Sequence, residues 1–121
     1  MKSPFLILIR TVLLGAATIT SAAGEDLSAA DFFGLRLALV HDTRIEIYRL
    51  SSNGTALALS GTRSGPVAAP TYRWKIEAGH LVIMDAQGVK ERFEIIARSD
   101  EQLATRRRSG EVAVFRISRM E

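Results

Sequence analysis

The chain has 121 residues, 47% of them hydrophobic, and no cysteine, which allows one packed domain and excludes disulfides, cysteine nucleophiles and cysteine-ligated zinc sites. Its formal net charge is +3, but Lys2 and Arg10 lie in the first 23 residues without any acid, so the remaining 14 basic and 13 acidic side chains give a net charge of +1. Such a balance gives no electrostatic support for binding nucleic acid.

Residues 1–23 are predicted to form an export signal. A positive start at Lys2 precedes two apolar segments on either side of Arg10, and small residues precede Gly24, where cleavage is expected. A membrane anchor is the alternative, but Arg10 interrupts the apolar run, which is shorter than the roughly 20 residues that a span needs. We therefore expect residues 24–121 to form an exported domain, periplasmic or extracellular, with no stable membrane span.

From Asp31 onward, the hydrophobic residues alternate with the period of a β-strand rather than a helix. The clearest example is Tyr72, Trp74 and Ile76, which are separated by charged residues. Turn-forming residues recur about every eight to twelve positions, which is typical of an all-β meander, barrel or sandwich. Eight strands are predicted, at residues 33–40, 45–50, 57–59, 72–76, 80–84, 89–97, around 103, and 112–118.

Three connections carry recognisable signals. Ser28, with Asp31 three residues later, indicates a short helical turn before the first strand. Asn53-Gly54 predicts a type I′ hairpin turn, in which both central residues have positive φ. Residues 60–70 contain two glycines and two prolines and are predicted to form a long loop.

The second predicted strand changes phase along its length. Ile45 and Ile47 alternate with polar residues in one phase, whereas Tyr48 and Leu50 belong to the other. Such a slip predicts a β-bulge at this point of the strand.

The strands are predicted to close into a barrel. Neighbouring antiparallel strands joined by short turns leave two exposed edges unless the sheet closes on itself. At eight strands, the side chains either just fill the interior or leave room for one small ligand. We therefore expect residues 33–40 to pair with residues 112–118, which gives an all-β fold, an eight-stranded antiparallel up-and-down meander closed into a small barrel.

The order of these features resembles that of the small lipocalin-like, or calycin-type, secreted domains of bacteria. The resemblance covers nearly the whole exported region and rests on turn and core residues, namely Phe33-Gly34, Asn53-Gly54-Thr55, Trp74-Lys75-Ile76, Gly79-His80-Leu81 and Phe115-Arg116-Ile117. Arg36 stands where these domains usually place a tryptophan against a basic residue of the last strand. The resemblance implies that Arg116 or Arg119 supplies the basic residue at the barrel floor.

The sequence also resembles periplasmic inhibitors of secreted zinc metalloproteases, which have the same barrel shape. Residues 28–34 are similar to their entry segment, and residues 81–88 are similar to their central hairpin. The disulfide that many of these inhibitors carry is missing. This resemblance implies that a segment before the barrel enters a protease cleft, with Glu25, Asp26 and Leu27 as partner-binding residues.

Residue types that support catalysis or metal binding do not cluster in the sequence. His41 and His80 are the only histidines, and neither has the spacing of a metal ligand or of a base oriented by a carboxylate. Both are expected to be exposed turn residues. The chain has no Gly-x-Ser-x-Gly elbow and no glycine-rich phosphate loop, and its carboxylates are scattered. We therefore expect a protein that is not an enzyme and that uses no metal or other cofactor.

Arg106, Arg107 and Arg108 form the densest cluster of charge in the chain. On a strand, Arg106 and Arg108 share a face, and Arg107 points to the other. The cluster is interpreted as a solvated strand end or, together with Arg98, as a rim that binds a partner through Arg106 and Arg108. The rim placement predicts that Arg107→Ala changes stability little.

Tyr72, Trp74, Ile76 and Phe93 are the candidate ligand-binding residues, because aromatic side chains inside a small barrel either fill its core or line a cavity. Strands of seven residues give a barrel only about 18 Å tall, which leaves little room beyond the side chains themselves. The predicted function is a monomeric, exported binding protein, for a small apolar ligand at the barrel mouth or, with a packed core, for a secreted protein partner. Inhibition of a secreted metalloprotease through the N-terminal segment is the alternative.

Overall fold

The computed structural model describes residues 27–120, which form one antiparallel sheet of nine strands. A 3-10 helix of four residues, Ala29–Phe32, precedes the first strand. The predicted signal, residues 1–23, lies outside the described residues. The strands are β1 (Leu35–Leu39), β2 (Arg44–Leu50), β3 (Thr55–Thr62), β4 (Val67–Ala68), β5 (Thr71–Glu77), β6 (His80–Asp85), β7 (Gly88–Arg98), β8 (Gln102–Arg106) and β9 (Val112–Arg119).

Eight of these strands close into a barrel, which confirms the predicted fold. β1 pairs with β2 on one side and with β9 on the other, and Leu37 lies opposite Ile117 in the β1–β9 register. β2 pairs with β3, β3 pairs with β5, and each later strand pairs with the next. Closure leaves no free edge in this ring of described strands and so removes the exposed backbone groups that an open sheet would present.

The predicted long loop is partly strand. β3 continues to Thr62, and the short β4 folds back on it, with Val67 opposite Gly61. A Cβ atom at Gly61 would lie 2.5 Å from the Pro66 carbonyl oxygen and 2.9 Å from Val67 Cα. Glycine at this position therefore allows the two backbones to approach closely.

The 3-10 helix closes one end of the barrel, which we call the floor. Asp31 Oδ2 accepts a hydrogen bond from the backbone N–H three residues earlier, at 2.8 Å, and the predicted helical turn is confirmed. Phe32 is fully buried, and the Arg98 guanidinium lies 5.0 Å from the centre of its ring. The cation at the floor therefore comes from β7 rather than from Arg116 or Arg119 of the last strand.

Inward side chains fill the barrel. The rings of Phe93 and Phe115 pack edge to face with centres 5.4 Å apart, and the Tyr48 ring lies 6.0 Å from that of Phe93. The buried Thr105 hydroxyl donates to the Ala113 carbonyl at 2.7 Å, so this polar group is satisfied. Burial of the apolar side chains is the main source of stability. The fully buried ones include Phe32, Leu35, Leu37, Leu50, Leu81, Ile83, Phe93, Leu103 and Phe115.

The predicted bulge in β2 is wrong. This strand pairs in unbroken register with both β1 and β3. Tyr48 and Leu50 belong to the core, whereas Ile45 and Ile47 face outward. The change of phase therefore arises because one regular strand carries apolar residues on both of its faces. Irregular register occurs instead between β6 and β7 and between β7 and β8.

The hairpin between β2 and β3 differs from the type I′ prediction. Gly54 has a φ of 90°, but Asn53 does not have a positive φ. The Gly54 N–H donates to the Ser51 carbonyl at 3.1 Å, which is the bond of a type I turn followed by a left-handed glycine. Both residues of the Ala78-Gly79 connection have positive φ, 51° and 77°, so the type I′ geometry occurs there instead.

Candidate functional site

The outer surface of β5, β6 and β7 carries several paired charges. Glu77 lies 3.1 Å from Lys75 Nζ and 3.9 Å from an Arg92 nitrogen. The hydrogen bond from Lys75 and its positive charge lower the pKa of the Glu77 carboxyl. Glu94 lies 3.2 Å from an Arg106 nitrogen. Arg73 and Lys90 on this half have no ion-pair partner among residues 27–120, so its charge is partly neutralised.

The opposite half carries unpaired charge and exposed apolar side chains. Arg36 on β1 lies opposite Arg49 on β2, and Arg116 on β9 lies opposite Ala38. None of these three arginines has an ion-pair partner among residues 27–120, and the outward side chains of β9, β1, β2 and β3 include no carboxylate. We call this surface the basic–apolar face; it consists of Arg36, Ala38, Ile45, Ile47, Arg49, Leu57, Leu59 and Arg116.

A cleft of about 490 Å³ opens at one end of the basic–apolar face. The hydrogen-bonded pairing of β1 with β2 ends at Ala38 and Ile47. Beyond this pair the two strands separate, and residues 39–43 have no partner on β2. The volume is in the range of sites that hold small ligands. The cleft combines aliphatic walls and guanidinium groups with the carboxylates of Asp42 and Glu46. Its lining also includes Arg36, Ala38, Ile45, Ile47, Leu59, Arg63 and Arg116.

His41 and Arg63 hold the end of the β1–β2 hairpin beside the cleft. His41 Nδ1 accepts hydrogen bonds from the backbone N–H groups of Thr43 and Arg44, at 3.1 and 2.9 Å. Arg63 Nε donates to the Asp42 carbonyl at 2.9 Å. His41 is exposed and lies in the connection, as predicted, and its ring satisfies backbone groups of the hairpin.

The end of the barrel opposite the 3-10 helix, which we call the mouth, is closed by Arg107. Its guanidinium donates two hydrogen bonds to the Glu46 carboxylate, one of them at 3.2 Å, and lies 3.4 Å from Glu91. It also lies 5.0 Å from the centre of the Phe93 ring. The side chains of Arg107 and Glu46 are only 10% and 11% exposed. The prediction of a solvated Arg107 is therefore wrong. Side chains alternate along the chain, so Arg106 faces outward and Arg107 faces inward, where it pairs with Glu46.

Further ionisable groups surround this ion pair. The Tyr48 hydroxyl donates to Glu46, and burial together with the negative charge of Glu46 raises the pKa of Tyr48 far above its usual range. Burial lowers the pKa of the Arg107 guanidinium, but the hydrogen bonds and charge of Glu46 outweigh this effect and raise it. Arg107 Nε lies 3.1 Å from Glu111 Oε1 without the geometry of a hydrogen bond. The guanidinium therefore stays charged and is held in place at the mouth.

The predicted ligand-binding residues are packed on the inner face of the barrel. Trp74 is 5% exposed, and its Nε1 donates to the Ser51 carbonyl at 2.9 Å. Phe93 is fully buried, while Tyr72 and Ile76 are half-buried against the core on the same face as Trp74. The structure therefore brings these residues together in the interior, and their role as ligand contacts stays a prediction.

The predicted partner-binding residues lie in different places. Arg106 faces outward on β8 and pairs with a carboxylate of β7 at 3.2 Å, and Arg108 is exposed in the turn that follows. Leu27 is half-buried and packs against the core. Glu25 and Asp26 lie outside the described residues. Inhibition of a metalloprotease through this segment therefore stays a prediction.

Sequence reasoning did not single out the basic–apolar face. One signal was available, because the change of phase in β2 indicates that Ile47 faces away from the core. On β3, the inward positions are the small Ala56 and Ala58, while the larger Leu57 and Leu59 face outward. The positions of the larger apolar side chains on both strands therefore indicate an apolar outer surface. The arginines beside it are on other positions of the sequence, and only the strand register shows that they are its neighbours.

The chain matches no protein-family model, no curated protein and no solved structure. Within residues 27–120, no three His, Asp or Glu side chains form a group that could hold a metal ion. The described part of the chain also has no helix with the length and apolar character of a membrane span. The basic–apolar face is therefore the feature from which a function is inferred.

His80 differs from its prediction as an exposed turn residue. It is the first residue of β6, and its side chain is half-buried.

Proposed function

We propose that the chain is an exported, non-enzymatic, lipocalin-like binding protein that uses its packed barrel as a scaffold and its basic–apolar face as the binding surface. The observation that carries this proposal is the position of Arg36 directly opposite Arg49, beside outward aliphatic side chains. Like charges that face each other on neighbouring strands destabilise a sheet. An anionic partner would relieve this repulsion on binding.

The exposed aliphatic residues support the same surface. Leu57 and Leu59 are 47% and 36% exposed, and Leu59 lies opposite the half-buried Ile47. Contiguous apolar groups rimmed by polar ones mark interaction sites on protein surfaces, and arginine is enriched at such interfaces. The face therefore offers both a hydrophobic contact and an electrostatic one.

The state of the interior also favours an external site. Phe93 and Trp74 are packed inside the barrel, and the Arg107–Glu46 ion pair occupies the mouth. Entry of a ligand through the mouth would separate this ion pair, at a cost of about 2–4 kcal/mol. The cleft on the outer surface requires no such separation.

Nuclear magnetic resonance titration of the 15N-labelled protein tests where ligands bind. The probes are decanoate, a neutral alkyl glucoside and short peptides of acidic, basic and neutral composition. We expect at least one probe to shift the amide resonances of Arg36, Ile47 and Leu59 and to leave the Trp74 indole resonance unchanged. Shifts concentrated at Trp74 and Phe93 would place the site inside the barrel and overturn the proposal, as would the absence of any shift.

A further inference from the structure

We infer that the basic–apolar face binds an extended peptide segment of a partner protein, in which two carboxylates and two aliphatic side chains lie on the same side. This inference rests on the proposed function and adds the chemistry of the partner. The guanidinium groups of Arg36, Arg49 and Arg116 hold the carboxylates, and the strip around Ile47 and Leu59 receives the aliphatic side chains.

The strand register places the groups of the face in rows. Arg36 and Arg49 belong to one row, and Ile47 belongs to the next, two residues further along its strand. Two residues correspond to about 7 Å along a strand, and side chains at positions i and i+2 of an extended peptide have the same spacing. Such a peptide can therefore place one side chain in each row. The second row consists of Arg116, Ala38, Ile47 and Leu59.

Other arginines near the cleft are already engaged. Arg44 lies 3.3 Å from Glu111, and Arg63 donates to the backbone carbonyls of His41 and Asp42. These two arginines stabilise the hairpin, whereas the three arginines of the face have no ion-pair partner among residues 27–120. A planar guanidinium donates two parallel hydrogen bonds to a carboxylate, so the unpaired arginines are suited to acidic side chains.

The apolar half of the face continues onto β4. Val67 is 44% exposed and lies opposite Gly61, which in turn lies opposite Ile45. Because Gly61 has no side chain, Val67 lies directly against it, and the exposed Val67 side chain extends the aliphatic strip beyond Ile45. This strip gives a second aliphatic side chain of the peptide a place to pack.

The shape of the face favours a protein partner over a membrane or a nucleic acid. Ala38 and Ile47 at its centre are half-buried, whereas Leu57 and Arg116 on either side are exposed. The cleft between these side chains accepts groups that project from a peptide, whereas the flat surface of a bilayer would leave it unfilled. The face has no aromatic side chain on which a base could stack.

Fluorescence anisotropy with a labelled peptide tests the inference. The probe is a seven-residue peptide, blocked at both ends, with glutamate at its first and third positions, leucine at its fifth and seventh, and serine between them. The control peptide has glutamine in place of both glutamates. We expect the acidic peptide to bind at least about tenfold more tightly than the control, with an advantage that falls as salt is added. Equal affinities of the two peptides would overturn the inference.

Variants on the two halves of the barrel locate the binding energy. Arg36→Gln and Arg116→Gln are each expected to weaken binding of the acidic peptide about tenfold, and Leu59→Ser to weaken both peptides. Lys90→Gln is the matched control, because Lys90 is exposed on β7 and the substitution removes the same charge. If Lys90→Gln weakens binding as much as Arg116→Gln does, the attraction depends on net charge alone and the inference is overturned.

The outcomes separate this inference from the proposed function. If vesicles of anionic phospholipid or the neutral alkyl probe shift the resonances of Ile47 and Leu59 but the acidic peptide does not, the face binds a different ligand and only the inference about the partner is overturned. If no probe shifts these resonances, both are overturned. Thermal unfolding shows whether each variant is folded, and the exposed Arg116 provides the test even if Arg36→Gln is unstable.

Discussion

Arg107, which follows β8, reaches across the mouth of the barrel and donates two hydrogen bonds to Glu46 on β2. β9 and β1 separate β8 from β2 in the ring, so the pair connects walls that no backbone ladder joins. Glu91 on β7 lies 3.4 Å from the same guanidinium. The ion pair therefore restrains the mouth from three sides.

Arg107→Ala is expected to lower the free energy of unfolding by about 2–4 kcal/mol, because the substitution leaves Glu46 buried without its cation. The loss is smaller than for a fully enclosed pair, since the carboxylate at the mouth regains some contact with water. Urea unfolding followed by circular dichroism measures the difference. The exposed Arg108 provides the control, and Arg108→Ala is expected to change stability by less than about 0.5 kcal/mol.

A double-mutant cycle separates the pair from its surroundings. Glu46→Gln removes the charge that Arg107 neutralises, and the double variant Glu46→Gln, Arg107→Ala is expected to lose less stability than the sum of the two single variants. Strict additivity would contradict the coupling, as would equal stabilities of Arg107→Ala and Arg108→Ala.

Tyr48 is expected to make stability fall at alkaline pH. Burial and the charge of Glu46 raise its pKa in the folded protein far above the ordinary value of about 10. The folded state therefore keeps a proton that the unfolded state releases, so this contribution is fully present below about pH 10 and is lost as the pH rises further. The expected loss is up to about 1.4 kcal/mol per pH unit above that point, and urea unfolding at several alkaline pH values measures it.

Two tyrosine variants identify the group responsible. The chain has two tyrosines, so Tyr72→Phe leaves Tyr48 as the only one. In that variant, the near-ultraviolet absorbance of phenolate should develop only as the chain unfolds. In Tyr48→Phe, the additional loss of stability above about pH 10 should disappear. Phenolate that forms while the circular dichroism spectrum remains native would contradict the prediction.

The closure of the barrel could be predicted because alternation and the avoidance of free edges act along whole strands. Leu37 and Ile117 each belong to a clear inward face, and the register places them opposite each other. The short β4 could not be predicted in this way, because its pairing depends on the close approach of two backbones at Gly61. Such an approach is a property of the folded chain and not of a local pattern.

The basic–apolar face could not be predicted from the sequence as well as the barrel could. Arg36 and Arg49 are 13 positions apart in the sequence and become neighbours only through the β1–β2 register. The alternation of side chains correctly places Arg107 on the opposite face from Arg106 and Arg108. It does not indicate that the Arg107 guanidinium pairs with Glu46, which lies on a distant strand. Long-range pairs of this kind depend on which strands face each other across the barrel.

Trp74→Ala is expected to cost about 3–5 kcal/mol of stability by leaving a cavity in the core. The ring meets Phe33 edge to face at 6.1 Å, and its Nε1 donates to the Ser51 carbonyl. Trp74→Phe keeps an aromatic ring but removes that donor, so its expected cost is smaller, about 1–3 kcal/mol. Urea unfolding followed by circular dichroism compares the two. A loss below about 1 kcal/mol for Trp74→Ala would mean that the ring does not support the core.

Ala78→Gly is expected to stabilise the protein. Ala78 has a φ of 51°, and this left-handed conformation costs alanine about 1–2 kcal/mol relative to glycine. Glycine adds about 0.5–1 kcal/mol of entropy cost on folding, so the middle values of the two ranges leave a net gain of about 0.7 kcal/mol. Thermal unfolding should therefore show a Tm higher by about 2–6 °C. Ala86→Gly is the control, because Ala86 lies in another hairpin turn without a positive φ, and glycine there brings only the entropy cost. A lower Tm in both variants would show that Ala78 is not strained.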